Sequence, residues 1–257
     1  MKVIRLAQSL MNSGSIPPPE PSTSDRIVFY KRNTHMSGDL EADCTTVPSP
    51  EYSSNDSNFP NNAPISEWKD FGGSTNSAVQ TTCADRPLYQ TGGKAHFDNK
   101  TPNFATTSDI TLTDEFTIYI KVNLDNLTNQ GLIGGSTLNF WRLSTASEFR
   151  LRIAGTPNSL FTEATDTITT NGKNDYIFVI QRNSGSQLSM HVQGGDEDYV
   201  DQVWGSTAQE DNDTMTIKSI GSQHGTTQTL EGELSDVLIY GADHTAAERL
   251  TVYNFIS

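Results

Sequence analysis

The chain has 257 residues, with 31 acidic against 17 basic side chains and a formal net charge of −14. This excess of carboxylates excludes non-specific binding to nucleic acids and to anionic membranes, because both depend on clustered Lys and Arg. Ser, Thr and Asn are unusually frequent and displace the residues that helices prefer, so the composition excludes a helical bundle. No apolar run of 18 residues occurs, and we expect a soluble protein without membrane insertion or a classical export signal.

The N-terminal quarter of the chain differs from the rest in its content of proline. Most of the 11 prolines lie at or before Pro64, and the run at residues 17–21 predicts an extended, polyproline-like spacer. Residues 26–32 predict one strand, and the composition of residues 34–64 is typical of a loop. We therefore divide the chain into an extended arm at residues 1–64, rich in Pro, Ser and Asn, and a folded domain at residues 65–257.

The first twelve residues carry apolar side chains at approximately helical spacing. So short a helix is not stable in water unless it docks against another surface. We expect the arm to dock in an assembly through its apolar side chains, which are Val3, Ile4, Leu6, Leu10, Met11 and Ile16. The alternative is an arm that folds back over its own domain.

Beyond the arm, apolar and polar residues alternate with the period of two that is typical of β-strands. The alternation is clear at residues 116–122, 149–153 and 188–192, and it predicts strands with one face in water, on which Tyr119 and His191 would lie. Residues 176–180 are continuously apolar, which predicts a strand that is covered on both sides. Many short strands separated by glycine-containing turns favour an antiparallel sandwich or jelly roll.

One helix is predicted, at the end of the chain. Thr245 and Glu248 have the spacing of a capping box, in which each side chain bonds to the backbone N–H of the other residue. We expect a helix at residues 245–255 that docks through a face containing Leu250 and Tyr253.

Two blocks of sequence resemble concanavalin A-like, laminin G-type jelly-roll domains. The first block is WKDFGGSTNSAVQ at residues 68–80 with RPLY at 86–89 and HFD at 96–98, and the second is LEGELSDVLIY at residues 230–240 with the predicted helix. The chain departs from the family pattern at Asn99, where a glycine is expected. The resemblance implies an all-β, antiparallel jelly-roll β-sandwich at residues 65–257, preceded by the arm and closed by the short helix.

The resemblance also implies sites for ligands. Many relatives bind calcium near the rim through Asp side chains, for which Asp70, Asp98, Asp114 and Asp125 are available here, with Asp70, Asp98 and Asp125 as the candidates. Such loop carboxylates are more often solvated, so we expect no cofactor and keep calcium as an alternative. Relatives with lectin activity hold sugars on rim loops. Trp204, interpreted as a loop residue, is the candidate for stacking on a sugar, and Asp196 and Asp198 in an acidic loop are candidates for hydrogen bonds.

An enzyme has weak support in the sequence. Glu231, Glu233 and Asp236 repeat the carboxylate spacing of retaining glycosidases with the same architecture. However, an acidic residue before the closing strand is common in the family, and the few tryptophans do not form a series along a cleft. The histidines show no spacing typical of metal ligands. We therefore predict a chain without catalytic residues.

The cysteine content leaves the redox compartment open. Cys44 and Cys83 are the only cysteines. We favour two unpaired thiols in a reducing compartment, with a disulfide as the alternative.

A lectin-like jelly roll with a proline-rich arm resembles the decoration, knob or fibre proteins of bacteriophages. We predict a non-enzymatic structural protein of a virion, assembled in the host cytoplasm and located on the virion surface. Its partners would be other virion proteins in an oligomeric assembly, with host surface glycans as a further partner. The alternative is a free carbohydrate-binding lectin module, and a third possibility is a glycoside hydrolase of the same fold.

Overall fold

The computed structural model describes residues 20–30, 36–38, 52–53, 61–71, 76–98, 103–154, 159–163, 168–170, 175–195, 199–206, 213–224 and 227–257. Several predictions lie outside these residues and stay predictions. They concern the apolar docking residues of the arm (Val3, Ile4, Leu6, Leu10, Met11 and Ile16) and the acidic loop residues Asp196 and Asp198.

The described residues form short strands and one helix, and the all-β prediction is confirmed. The strands are β1 Arg26–Tyr30, β2 Met36–Gly38, β3 Tyr52–Ser53, β4 Ile65–Trp68, β5 Ala78–Val79, β6 Leu88–Gln90, β7 Lys94–Asp98, β8 Phe104–Leu112, β9 Phe116–Leu124, β10 Gln130–Ser136, β11 Asn139–Thr145, β12 Glu148–Arg152, β13 Ser159–Thr162, β14 Tyr176–Arg182, β15 Leu188–Gly194, β16 Tyr199–Ser206, β17 Met215–Ile220, β18 Ser222–His224, β19 Thr227–Thr229 and β20 Glu231–Tyr240. A 3₁₀ turn spans Cys83–Asp85, and helix α1 spans Ala246–Ile256.

The strands form two antiparallel sheets. In sheet A, β20 pairs with β9 on one side and with both β1 and β7 on the other, β6 pairs with β7, and the order continues from β9 through β14 and β15 to β16. Sheet B has the order β3, β2, β4, β5, β8, β17, β10, β11, β12, β13. The last residues of β16 pair with β13, so β16 joins the two sheets along one edge.

The main core lies between the sheets, where the period-two alternation places the apolar side chains. Phe116, Ile118 and Ile120 of β9 point inward, as predicted, and are fully buried. Each such side chain contributes about 1.5–3 kcal/mol when it leaves water. In β14, Phe178 and Ile180 face this core, whereas Ile177 and Val179 face the other way. This confirms that the continuously apolar strand is covered on both sides.

The outer face of sheet A is covered by α1, which corrects the prediction of a face in water. Tyr119 is completely buried there in a second apolar cluster with Val179, Leu238 and Tyr253. His191 is also buried, at 5% exposure, on the same face. The alternation was interpreted as one dry and one wet face because a helix distant in sequence leaves no signal in the strand that it covers.

Helix α1 begins at the predicted capping box, which is present at Thr245 and Glu248. The docking face differs from the predicted one. Arg249 lies on the buried face with the apolar side chains, whereas Leu250 is 52% exposed; the buried residues of the helix are Arg249, Val252, Tyr253 and Ile256. Their spacing of i, i+3, i+4 and i+7 forms one helical stripe. Leu250 lies off that stripe, and a buried arginine was not expected on it.

Three strands in the segment that we assigned to the arm, β1, β2 and β3, belong to the sandwich. β1 pairs with the end of β20, and its residues Val28, Phe29 and Tyr30 are buried. β2 pairs with β4 in sheet B, although residues 34–64 were interpreted as a loop. A strand of three residues has too little alternation to be detected in a polar sequence.

The outer face of sheet B is partly covered by the hairpin of β18 and β19, which lies over β10. Glycines permit this close approach. A Cβ atom on Gly134 would lie 1.6 Å from the backbone oxygen of Gln223, and one on Gly131 would lie 1.9 Å from the backbone oxygen of Gln228. No helix in the described part of the chain has the length and apolar character that crossing a membrane requires.

Candidate functional site

A polar pocket lies at one rim of the sandwich, where three neighbouring strands of sheet A come together. Phe116 at the start of β9 is in register with Arg182 at the end of β14, and Thr117 is in register with Tyr240 at the end of β20. The connections next to these ends therefore converge. They enclose a pocket of about 420 Å³, here called the rim pocket, lined by Thr113, Asp114, Glu115, Arg182, Asn183, Ser184, Ser186 and Gly241.

Arg182 is buried beside the rim pocket and bonds to the backbone of its walls. It is 1% exposed, and its Nε atom donates to the backbone oxygen of Asp114 at 2.7 Å. Nη1 donates to the backbone oxygen of Asp213 at 2.6 Å, and the guanidinium lies 4.9 Å from the centre of the Phe116 ring. Arg182 thus fixes the backbone of the β8–β9 turn, in which the Asp114 carboxylate accepts a hydrogen bond from the Thr113 hydroxyl group at 2.9 Å.

The opposite wall is the turn between β14 and β15, which is shaped by Asn183. Its Oδ1 atom accepts the backbone N–H groups of Gly185 at 3.0 Å and Gln187 at 2.9 Å. Ser186 has a φ of 62°, a left-handed conformation that such turns require. The rim pocket is thus lined by two carboxylates, from Asp114 and Glu115, and by the hydroxyl groups of Ser184 and Ser186. Such a mixture of acceptors and donors suits a ligand rich in hydroxyl groups.

A second polar cluster lies on the outer face of sheet A and binds α1 to the strands. Both carboxylate oxygens of Asp201 accept hydrogen bonds from Arg249, at 2.9 and 2.8 Å, and Tyr253 donates to Oδ1 at 2.7 Å. His191 Nδ1 lies 3.3 Å from the same Oδ1 atom. Burial alone would raise the pKa of Asp201, but the contacts with His191, Arg249 and Tyr253 outweigh it and hold the pKa well below its usual range. We call Asp201, Arg249 and Tyr253 the helix clamp.

The side chain of His191 lies between those of Ser189 and Asp201, which is the spatial arrangement of a hydrolase triad. Ser189 Oγ is 3.4 Å from His191 Nε2, a long distance for the transfer of a proton. Asp201 is already engaged by Arg249 and Tyr253, so it is not available to orient a catalytic histidine alone. The geometry supports a structural role for these residues in holding α1.

The structure corrects the interpretation of Trp204. It lies in β16 and not in a loop, is 1% exposed, and packs edge-to-face on Phe149 with ring centres 5.2 Å apart. The segment around it was interpreted as a loop, but the strand places Trp204 inward and its neighbour Val203, which is 58% exposed, outward. Its ring is therefore not accessible for stacking on a sugar.

The candidate calcium ligands do not form one cluster: Asp98 and Asp125 lie on either side of Glu231, whereas Asp70 and Asp114 lie near the other end of β20. Asp70 is buried and accepts the backbone N–H of Phe29 at 2.7 Å. Asp98 is in strand β7, and the Asp125 carboxylate is 51% exposed and lies 4.0 Å from His96. No group of three His, Cys, Asp or Glu side chains suited to a metal ion occurs in the part of the chain that the structure describes.

The carboxylates of the glycosidase-like spacing have protein partners. Glu233 accepts a hydrogen bond from Lys94 at 2.9 Å, and Glu231 accepts one from Asn126 at 3.0 Å. Asp236 is 1% exposed. An ion-paired glutamate beside a buried aspartate gives this set a simple structural explanation.

Cys83 is disulfide-bonded, so the prediction of unpaired thiols is wrong for this residue. Cys44, the other cysteine of the sequence, lies outside the described residues. A chain of this length can build a core without disulfides, so two cysteines in the sequence do not indicate whether they pair.

Sequence reasoning named Asp114 only as a loop aspartate available to calcium and did not group the residues of the rim pocket. The Asn183-Ser-Gly-Ser turn is visible as a turn signal, and Asp114 lies two residues before the strand that begins at Phe116. Their convergence depends on the pairing of β9 with β14, which are more than 50 residues apart in the chain. Such a site can be found only when the pairing of the strands and their register are known, because no local motif marks it.

No family model and no curated protein sequence matches the chain. Among solved structures, the chain is similar to Trypanosoma rangeli sialidase, with a TM-score of 0.53, 15% identity and coverage of 99% of this chain and 38% of that chain. It is also similar to a mutant of this sialidase that displays trans-sialidase activity, with a TM-score of 0.52, 15% identity and the same coverage of 99% and 38%. A complex of the sialidase with sialic acid gives a TM-score of 0.50 at 14% identity, covering 100% of this chain and 39% of that chain.

The chain thus spans well under half of the sialidase chains that it matches. At this level of identity the similarity shows a shared fold. Together with the antiparallel sheets and the terminal helix, it supports the antiparallel jelly-roll β-sandwich that the sequence predicted.

Proposed function

We propose that the chain is a carbohydrate-binding domain with a lectin-like fold that acts without catalysis, and that the rim pocket is its sugar site. The observation that carries the proposal is the pocket itself. Its volume of about 420 Å³ lies within the range of pockets that hold small molecules. It combines carboxylate acceptors with serine hydroxyl groups, and a sugar hydroxyl both donates and accepts hydrogen bonds.

The rigidity of the walls supports the same reading. Arg182 fixes the backbone beside Asp114, and the Asn183 side chain fixes the opposite turn. A pocket whose walls are already ordered loses less entropy when a ligand binds. Weak, hydrated ligands such as sugars depend on this preorganisation more than ligands with large apolar surfaces do.

Two further observations agree with a carbohydrate ligand outside the cell. The sialidase chains with the same fold include one in complex with sialic acid, which is a sugar. In addition, disulfides such as that of Cys83 persist mainly in oxidising environments, where surface glycans are found.

The test is a glycan array followed by titration calorimetry with the best ligand, using the full chain. Asp114→Ala removes an acceptor from the rim pocket but leaves the backbone oxygen that Arg182 binds. We expect it to weaken sugar binding by about tenfold or more, the usual result of losing a hydrogen bond to a charged group. Asp109→Ala is the matched control, because Asp109 is 54% exposed and pairs with Lys218 outside the pocket. Equal affinities of both variants and the parent chain would refute the assignment.

The virion role predicted from the sequence is a second proposal. It rests on the proline-rich arm ahead of the sandwich and on its apolar residues, among them Ile4 and Leu6. Deletion of residues 1–21 is expected to abolish incorporation into particles while the sandwich stays folded. Unchanged incorporation, or a failure to find the chain in any particle, would leave the free carbohydrate-binding module as the better reading.

A further inference from the structure

The outward face of sheet B carries two arginines directly opposite each other. Arg142 in β11 is in register with Arg150 in β12. The adjacent register pair, Trp141 and Leu151, is buried in the core. Like charges in opposite positions of neighbouring strands destabilise a sheet. In a chain with a net charge of −14, such a pair is unexpected.

The charge of the pair is only partly compensated within the protein. Arg150 donates from Nε to Glu148 at 2.8 Å. Arg142 donates from Nη1 to the neutral side-chain oxygens of Gln223, at 2.9 Å, and Gln228. Among the described residues, no acceptor contacts Nη2 of Arg142 or either Nη atom of Arg150. Two positive charges thus share one carboxylate.

The surroundings form a shallow trough. The hairpin of β18 and β19 rises beside Arg142 and contributes Gln223 and Gln228 as one wall, while β11 and β12 form the floor. The Arg150 side chain is 35% exposed, and the Arg142 guanidinium stacks 5.3 Å from the centre of the Phe140 ring. Burial lowers the pKa of Arg142, and the nearby Arg150 lowers it further, so an anion at this position would relieve a repulsion that is present in the free protein.

From this geometry we propose that the Arg142–Arg150 trough binds the carboxylate of an acidic saccharide. Guanidinium groups bind planar carboxylates through two parallel N–H groups, and the free Nη atoms are the donors that such a pair requires. The amide groups of Gln223 and Gln228 lie at hydrogen-bonding distance from Arg142 and would border the sugar ring. This site is distinct from the rim pocket and extends the proposed function to charged sugars.

The experiment measures binding of an oligogalacturonate to the full chain by calorimetry, with the fully methyl-esterified oligosaccharide as the uncharged match. We expect binding of the acid and at least tenfold weaker binding of the ester, since a charge-assisted pair is lost. Sodium acetate at equal carboxylate concentration should compete only weakly. Equal binding of the ester, or full competition by acetate, would overturn the proposal.

Single substitutions distinguish binding in the trough from a general effect of net charge and from binding in the rim pocket. Arg150→Gln should weaken binding of the oligogalacturonate about tenfold, whereas Lys218→Gln, which removes one charge from an exposed position of the same sheet, should change it less than twofold. An equal loss in both variants would overturn the proposal, because it would show a non-specific effect of charge. Asp109→Ala, which changes neither site, should leave this binding unchanged, and a neutral sugar found to bind in the rim pocket should not compete with the oligogalacturonate, so failure of the rim-pocket assignment and failure of the trough are distinguishable. A melting temperature equal to that of the parent chain confirms that Arg150→Gln is folded.

Discussion

The two outer faces of the sandwich differ in how their charged residues are bonded. On sheet A, helix α1 packs on the central strands β20, β9 and β14, and every oxygen of the Asp201 carboxylate is bonded to Arg249 or Tyr253. On sheet B, the hairpin of β18 and β19 covers only part of the face, and Arg142 and Arg150 keep donors without acceptors among the described residues. Both faces look alike in the sequence, as polar residues that alternate with apolar ones.

The difference teaches how to separate structural from binding charges in such a fold. A buried charge is tolerated when all of its hydrogen-bonding groups are satisfied, and its removal then damages the fold. A partly exposed charge without a full set of partners contributes little to stability and remains available to a ligand. The helix clamp is an example of the first kind and the Arg142–Arg150 trough of the second.

The largest effect is expected at the helix clamp. Arg249→Met keeps the length of the side chain but leaves the Asp201 carboxylate with an uncompensated charge in a half-buried position. We expect a loss of about 3–5 kcal/mol in the free energy of unfolding, measured by urea denaturation. Lys218→Gln, which breaks an exposed ion pair, is the control and should cost less than about 1 kcal/mol. Similar losses in the two variants would contradict the distinction between the faces.

The docking of the hairpin on sheet B is the next test. Gly134→Ala places a Cβ atom 1.6 Å from the Gln223 backbone oxygen, so the hairpin must shift away. We expect a cost of about 1–3 kcal/mol, typical of overpacking, together with faster hydrogen exchange in β18 and β19. Gly241→Ala is the control, because its Cβ atom would meet Ile27 at an ordinary 3.5 Å. Unchanged exchange in Gly134→Ala would show that the glycine is not needed for docking.

The pH dependence of stability sharpens the role of Asp201. Its pKa is lower in the folded chain than the usual value of about 3.9 in an unfolded chain, so its stabilising contribution is complete above that value and is lost as the pH falls below it. Asp201→Asn removes this contribution, and Asn tolerates the φ of 47° at this position. We therefore expect the stability difference between parent and variant to be smaller at pH 3 than at pH 7. A difference that does not depend on pH would assign the effect to packing instead of charge.

The parts of this structure that sequence predicted are those with local causes. The inward side chains of β9, the doubly covered strand β14 and the capping box at Thr245 all follow from periods or motifs within a few residues. The burial of His191 and Tyr119 beneath α1 depends on a contact between distant segments, and local alternation cannot report it. The same reason explains the error on Trp204, whose packing partner Phe149 is distant in sequence.

The candidate sites were harder to predict than the fold. Neither Asp114 with Asn183 nor Arg142 with Arg150 forms a motif, and each pair becomes visible only when the register of two strands is known. Arg150 was correctly placed on the outward face of its strand by alternation. The sequence did not show that Arg142 lies opposite it on the neighbouring strand, and this neighbour distinguishes Arg150 from an ordinary surface arginine.

The smallest effect on stability, and the sharpest contrast with the helix clamp, is expected at Glu148. Its carboxylate accepts one hydrogen bond from Arg150 in a partly exposed ion pair, so Glu148→Gln should change the free energy of unfolding by less than about 1 kcal/mol. Yet Glu148 competes with any anionic ligand for Arg150, and its neutralisation should strengthen oligogalacturonate binding by about two- to fivefold, the equivalent of one exposed ion pair. A titration of parent and variant at equal salt tests this. Weaker binding in the variant would show that Glu148 orients Arg150 for the ligand, and the trough would then depend on a fixed arginine geometry more than on its surplus of positive charge.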